Sequence, residues 1–222
     1  MPAKRVIAFC AAILCVPLAY ADTVNTFGFS CITANSIYCP SVASQLTVGV
    51  TDAGGGQVLF TFTNAGAIAS SITDVYFDDG TLLGIASIES GPGVDFSQFA
   101  SPHNLPGGNN IDPHFETTAG FSADSDPPVQ PNGVNPGEWL KIYFNLQSGP
   151  TFDDTLAALN NGDALRIGIK VQGLPDGQSE SMVNGPPQAV PEPDAWLLLG
   201  AVLVGLLARA VHHRSKQSGL PV

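Results

Sequence analysis

The chain has 222 residues, of which 44% are hydrophobic and 12% charged, and 8 Lys and Arg against 19 Asp and Glu leave a formal charge of −11. That balance excludes nucleic acid and anionic lipid surfaces as natural partners for its body. Cations, neutral glycans and basic proteins remain compatible with it.

The chain opens with Lys4 and Arg5, then a nearly unbroken apolar run from Val6 to Leu18, then Ala19-Tyr20-Ala21. A short positive region, an apolar stretch and small residues at alternate positions predict a secretory signal peptide over residues 1–21, cut by signal peptidase after Ala21. Lipoprotein processing fits poorly, because Cys10 and Cys15 follow the bulky Phe9 and Leu14. The remaining body, residues 22–190, is one domain's worth and long enough to bury a core. It holds 17 of the acidic residues and only Lys141, Arg166 and Lys170 among the basic ones, a charge of −14. Its two cysteines, Cys31 and Cys39, are expected to form a disulfide in an oxidising compartment.

Through the body, apolar and polar residues alternate with a period of two. In "QVLFTFTN", Val58, Phe60 and Phe62 share one face and Leu59, Thr61 and Thr63 the other. "LTVGV", "ITDVYF" and "LLGIASI" are further strand candidates. Residues 91–137, rich in Pro, Gly, Asn and Asp, predict extended loops with one or two short strands. "WLKIYFNL" then points Leu140, Ile142, Phe144 and Leu146 inward and Trp139, Lys141, Tyr143 and Asn145 outward. "TFDDTLAALNNGD" breaks the pattern, with Thr151 and Asp154 spaced as a capping box, and predicts one short helix. "ALRIGIKVQ" restores alternation, with Leu165, Ile167, Ile169 and Val171 inward and Arg166, Gly168, Lys170 and Gln172 on the wet face. Strands with one wet face, spaced by turns, predict an all-β domain, an antiparallel β-sandwich of Ig-like or jelly-roll topology.

Three constellations carry candidate chemistry. Asp78-Asp79-Gly80 ends a strand and, with Asp124 and Asp126, offers oxygens to calcium, although no spacing matches a known calcium loop and solvated turn acids are the simpler reading. "DPHFE" sets Asp112, His114 and Glu116 on one side of an extended segment with His103 nearby, a set suited to a transition metal or to acid–base work or to plain solvation. Trp139 and Tyr143, with Lys141 between them, form an outward row that suits stacking on sugar rings or packing under loops. No nucleophile elbow, zinc-protease helix or phosphate-binding glycine loop occurs, so no enzymatic activity is expected.

The C-terminal stretch reads "VPEPDAWLLLGAVLVGLLARAVHHRSK". Ala195 to Ala208 is an uncharged run of 14 residues, roughly 21 Å as a helix against a hydrocarbon core of about 30 Å. Counting on to Val211, with Arg209 snorkelling, brings it to about 26 Å, the lower limit for a transmembrane helix. Arg209, Arg214 and Lys216 then form a basic stop-transfer cluster that places the body on the outer side. Two prolines keep Pro191-Glu192-Pro193 extended and outside the helix, a form suited to a protease. Motif, short apolar helix and basic tail over residues 191–216 together resemble the PEP-CTERM sorting signal of exported proteins from Gram-negative bacteria that make exopolysaccharide. The body blocks "FTFTNAGAIASSITDVYFDDG", "ADSD", "NGVNPGE" and "LRIGIKVQGLPDGQSES" look similar to ectodomains of that group. The resemblance implies recognition of Pro191, Glu192 and Pro193 by exosortase and transient anchoring in the inner membrane. It also implies a final place at the cell surface or in an exopolysaccharide matrix, with a structural or adhesive role. A carbohydrate-binding module presenting Trp139 and Tyr143 is the alternative.

Overall fold

The alternating segments form the strands of the computed structural model, which describes residues 24–78, 83–162 and 164–187. In chain order the elements are β1 (Asn25–Cys31), α1 (Cys39–Ala43), β2 (Leu46–Gly54), β3 (Gln57–Asn64), β4 (Ser71–Asp78), β5 (Leu83–Ser90), β6 (Phe96–Gln98), β7 (Ser122–Ser125), α2 (Val129–Asn132), β8 (Trp139–Leu146), α3 (Phe152–Asn160), β9 (Arg166–Gln172) and β10 (Glu180–Pro187). The strands join in one antiparallel sheet of order β5-β8-β3-β2-β1-β10-β9-β4-β7-β6. Its end strands β5 and β6 approach each other, so the sheet is nearly closed into a barrel.

This corrects the expected two-layer sandwich. Antiparallel strands and few helices are as the alternation predicts, but a single coiled sheet covers its own apolar face. Accumulated strand twist allows that closure, and the pairing of β1 with β10 joins what would otherwise be two sheets. The interior is the set that alternation places inward: Val58, Phe60 and Phe62 of β3, Leu140, Ile142 and Phe144 of β8, and Ile167, Ile169 and Val171 of β9 are fully buried. Phe77 meets Phe60 at 5.1 Å and Phe144 at 4.5 Å, both edge-on, at the centre of this core. Phe144 also meets Phe60 at 5.4 Å.

Helix α3 begins where the capping box places it. The Thr151 hydroxyl accepts from the Asp154 backbone N–H at 3.3 Å, and the Asp154 carboxylate accepts from the Thr151 N–H at 2.7 Å. The short helices α1 and α2 were not expected; Pro40 in the first turn of α1 is their one local signal. The expected transmembrane helix lies outside the described residues, and no helix among those described is long and apolar enough to cross a membrane.

Three of the ten strands wear a second layer. Residues 99–121 run over the outside of β4, β9 and β10, and a small outer core of Tyr76, Ala100, Leu105, Phe115 and Val183 forms there. Strand β4 is consequently buried on both faces. Gly168 of β9 makes the fit possible, since a Cβ there would lie 2.7 Å from Leu105 Cδ2 and 3.0 Å from Phe115 Cζ. Arg166, expected on a wet face, is instead 7% exposed. Its guanidinium donates to the carbonyls of Pro113 and His114, both at 2.6 Å, and pairs with the Asp78 carboxylate. One buried cation thus ties the overlying segment to the wall, with its charge neutralised by the neighbouring strand.

Candidate functional site

The body meets the sorting segment through β10. In the register of β1 and β10, Pro187 lies opposite Phe27, near the first residue of β1. Both ends of the barrel therefore leave from one pole, the pole that also carries the β2–β3 turn. Asn184 pins the strand just before its exit, its side-chain oxygen accepting from the Ile167 N–H at 2.7 Å. Pro186 and Pro187 cannot donate backbone hydrogen bonds, and the register of β10 with β1 shifts between Asn184 and Pro187. Pro191, Glu192, Pro193, Arg209, Arg214 and Lys216 lie outside the described residues.

The outward row of β8 is where period two places it, and its members are half-buried. Lys141 Nζ stands 4.7 Å from the centre of the Trp139 ring and 3.2 Å from Glu89 Oε1 across on β5. Tyr143 donates its hydroxyl to Glu89 Oε2 at 3.2 Å. Gly91 lies against the indole, and a Cβ there would sit 2.7 Å from the Trp139 carbonyl and 3.0 Å from ring carbons. The row is therefore a bonded cluster, with the indole held between a lysine and a backbone segment. Its exposed ion pair contributes only about 0–1 kcal/mol.

The structure scatters the candidate calcium oxygens. Asp78 is engaged by Arg166 and also accepts from the Glu116 N–H at 3.2 Å. Asp124 accepts from the Ser101 N–H at 3.1 Å, and Asp126 from the Ser97 hydroxyl at 2.9 Å. Asp79 lies outside the described residues. Among the described residues no three His, Cys, Asp or Glu side chains are grouped to hold a metal ion. Burial pushes the Asp124 carboxyl above the ordinary carboxylate range, and Asp74, its register partner on β4, adds to that rise. Asp74 is itself buried and accepts from the Thr73 hydroxyl at 2.7 Å and the Tyr76 hydroxyl at 3.1 Å. Burial, reinforced by Asp74, raises the Tyr76 phenol well above its usual range. Asp112, His114 and Glu116 are exposed, while the carbonyls of Pro113 and His114, the Glu116 N–H and the buried Phe115 ring fasten the segment.

Cys31 and Cys39 are joined, with Cα atoms 6.3 Å apart. The bridge links the end of β1 to the start of α1 and closes the loop between them. Further anchors hold that loop. Glu180, 1% exposed on β10, accepts from the Thr33 hydroxyl and the Ser36 N–H. Sequence reasoning passed over this buried carboxylate and the Asp78–Arg166 clamp, since their partners are 144 and 88 residues away.

The family model for the PEP-CTERM protein-sorting motif matches residues 189–214. No curated protein matches the chain, and no solved structure matches it. The match begins two residues beyond the last described residue of β10 and takes in the Pro-Glu-Pro tripeptide, the apolar run and the first two arginines of the basic cluster. The chain thus carries at its C-terminus a PEP-CTERM protein-sorting motif, which marks it for export, transient membrane anchoring and C-terminal processing by exosortase.

Proposed function

We propose that this is a non-enzymatic protein of the cell surface or extracellular matrix, structural or adhesive in an exopolysaccharide layer. The observation that carries the reading is the junction: the sorting motif starts two residues after the strand that completes the barrel. Such a layout delivers one rigid folded body to the outside. The use of the acidic side chains supports a non-catalytic role. Asp78 neutralises Arg166, Glu180 holds a loop, Asp154 caps a helix, and Glu138 accepts from the Asn135 N–H at 2.8 Å. Replacing Pro191-Glu192-Pro193 by three alanines tests the reading. The variant is expected to accumulate in the membrane fraction with its tail intact by mass spectrometry, while the unaltered protein loses the tail and moves to the surface or medium. Identical masses and fractions for the two would overturn it.

A second reading, glycan contact through β8, is favoured by the half-exposed row of Trp139 and Tyr143. Binding on a glycan array that is lost on Trp139→Ala would establish it. The contacts of the indole with Lys141 and Gly91 leave that platform less open than its sequence position suggests.

A further inference from the structure

The charges of the body are distributed very unevenly. Residues 23–73, 51 in number, carry a single charge, Asp52, whereas residues 74–190 carry 18. The uncharged stretch builds β1, α1, β2 and β3, four elements that are contiguous in the wall. A body with a charge of −14 repels its own copies over most of its surface. Two copies meeting through this sector bring few carboxylates together: the exposed ones are Asp52, at the end of β2 away from α1, and Asp176, which accepts from Ser36 beside the loop tip.

The sector carries a knob. Ile37 is 87% exposed and its neighbour Tyr38 36%. A fully exposed isoleucine on a surface loop ordinarily sits on mobile backbone, but this loop is held from many sides. The disulfide closes it, and Glu180 accepts from Thr33 and Ser36. Ser36 donates its hydroxyl to Asp176 at 2.7 Å, and Asn35 Nδ2 donates to the Ser179 carbonyl at 2.9 Å. Asn110 Nδ2 reaches the Ile32 carbonyl at 3.0 Å. A buried carboxylate thus fixes a loop whose apolar tip stands in solvent. Immobilising an exposed apolar side chain lowers the entropy lost on docking and has no evident benefit for the isolated fold.

The sector also carries a hole. A groove of about 420 Å³ lies between α1 and β1, lined by Gly28, Cys31, Pro40, Ala43, Ser44 and Leu46 among others, with no charged residue. Knob and groove flank the same five-residue helix, about 8 Å long. Projection and uncharged recess side by side on one patch satisfy the condition for a two-fold contact, in which each copy fills the groove of the other.

We infer that β1, α1 and β2 form a self-association surface, with Ile37 of one copy seated in the α1–β1 groove of a second copy. The inference concerns the barrel itself and stands apart from the proposed role in a polysaccharide layer. In cells, a photo-cross-linking amino acid at position 37 of the full chain is expected to give a product of twice the mass, joined to a peptide within residues 28–47 of a differently isotope-labelled copy. On the exported protein, sedimentation equilibrium is expected to show a dimer that strengthens as salt rises, because screening weakens the repulsion between the acidic bodies. Ile37→Asp, which removes the knob, and Ser44→Asp, which charges the exposed rim of the groove, should each weaken association by at least tenfold while leaving circular dichroism unchanged. Mixing the two variants restores one of the two contacts, so the mixture should associate more tightly than either alone. A protein that stays monomeric up to about 1 mM overturns the inference and leaves the uncharged sector to a neutral glycan. Variants that associate as well as the unaltered chain, or a mixture no tighter than its components, overturn it equally.

Discussion

Two neighbouring three-strand flanks of the barrel wall, β1 to β3 and β4, β9 and β10, obey the same alternation inside and differ on the outside. Strands β1 to β3 turn a bare, uncharged face to solvent, with Thr26, Thr47, Thr51, Thr61 and Thr63 half-buried along it. Strands β4, β9 and β10 carry a second layer of side chains from residues 99–121. Inward residues specify the barrel in both flanks, because period two fixes which side chains leave water. Outward residues decide what each flank is for: one is closed off by the chain itself, and the other is left available. The polar groups sort accordingly. On the covered side, a cation, Arg166, and two carboxylates, Asp74 and Glu180, are buried and need partners. On the bare side, hydroxyls satisfy one another or water, as Thr47 and Thr63 do at 2.7 Å.

The largest effect should come from unfastening the covered flank. Arg166→Ala leaves the partly exposed Asp78 without its cation and frees the carbonyls of Pro113 and His114, which should reduce stability by about 3 kcal/mol in urea unfolding. Hydrogen exchange should then rise in residues 99–121 before the barrel interior responds. Exchange that rises uniformly would mean the outer layer is not a separable unit.

A matched pair of glycine substitutions sharpens the contrast. Gly168→Ala pushes a Cβ against Leu105 and Phe115, both buried, and should cost about 1–3 kcal/mol. At Gly49 on the bare face a Cβ meets only Val24 Cγ1 within close range, at 3.0 Å, and Val24 is 56% exposed and able to move aside. Gly49→Ala should therefore change stability by less than about 0.5 kcal/mol, with some gain because glycine weakens a strand. Equal effects at the two sites, measured by thermal or urea unfolding, would erase the distinction between the flanks.

The smallest effect lies at α3, which belongs to neither flank. Thr151→Ala should cost about 1 kcal/mol through loss of the cap. The Thr151 backbone N–H, and next its hydroxyl, hold the Asp154 carboxyl below its ordinary range. A lowered folded-state value contributes stability above the unfolded-state value and loses it as pH falls through the folded one. The difference between Thr151→Ala and the unaltered protein should thus be constant near neutrality and shrink in acid, below the ordinary carboxylate range. A difference that persists unchanged there would show that the contact between the Thr151 hydroxyl and the Asp154 carboxylate contributes nothing to the cap.

What was legible in advance was local. The inward sets of β3, β8 and β9, the capping box of α3 and the Pro-Glu-Pro tail each depend on residues within a few positions of one another. Their physics, pleat, orphan N–H groups and proline geometry, acts at that range. The closure of the wall was not legible, since a sandwich and a barrel use identical strand patterns and differ in whether β1 pairs with β10 across about 155 residues. Arg166 was read as a solvent-facing strand residue because nothing adjacent shows that a distant segment will cover it. Asp78 likewise looked like a turn acid open to calcium until Arg166 took its place beside it.

The amino-acid sequence by itself determined which side chains enter the core, where the one capped helix begins and how the chain is addressed for export, because each rests on short-range pattern. Tertiary structure alone decided that the ten described strands curl into a nearly closed barrel, that one flank is sheathed while the other stays bare, and that an exposed isoleucine on a tethered loop stands beside an uncharged groove. Those features come from pairings between residues far apart in the chain. Accumulated twist and the need to partner every buried charge select among those pairings, and no local signal encodes the choice.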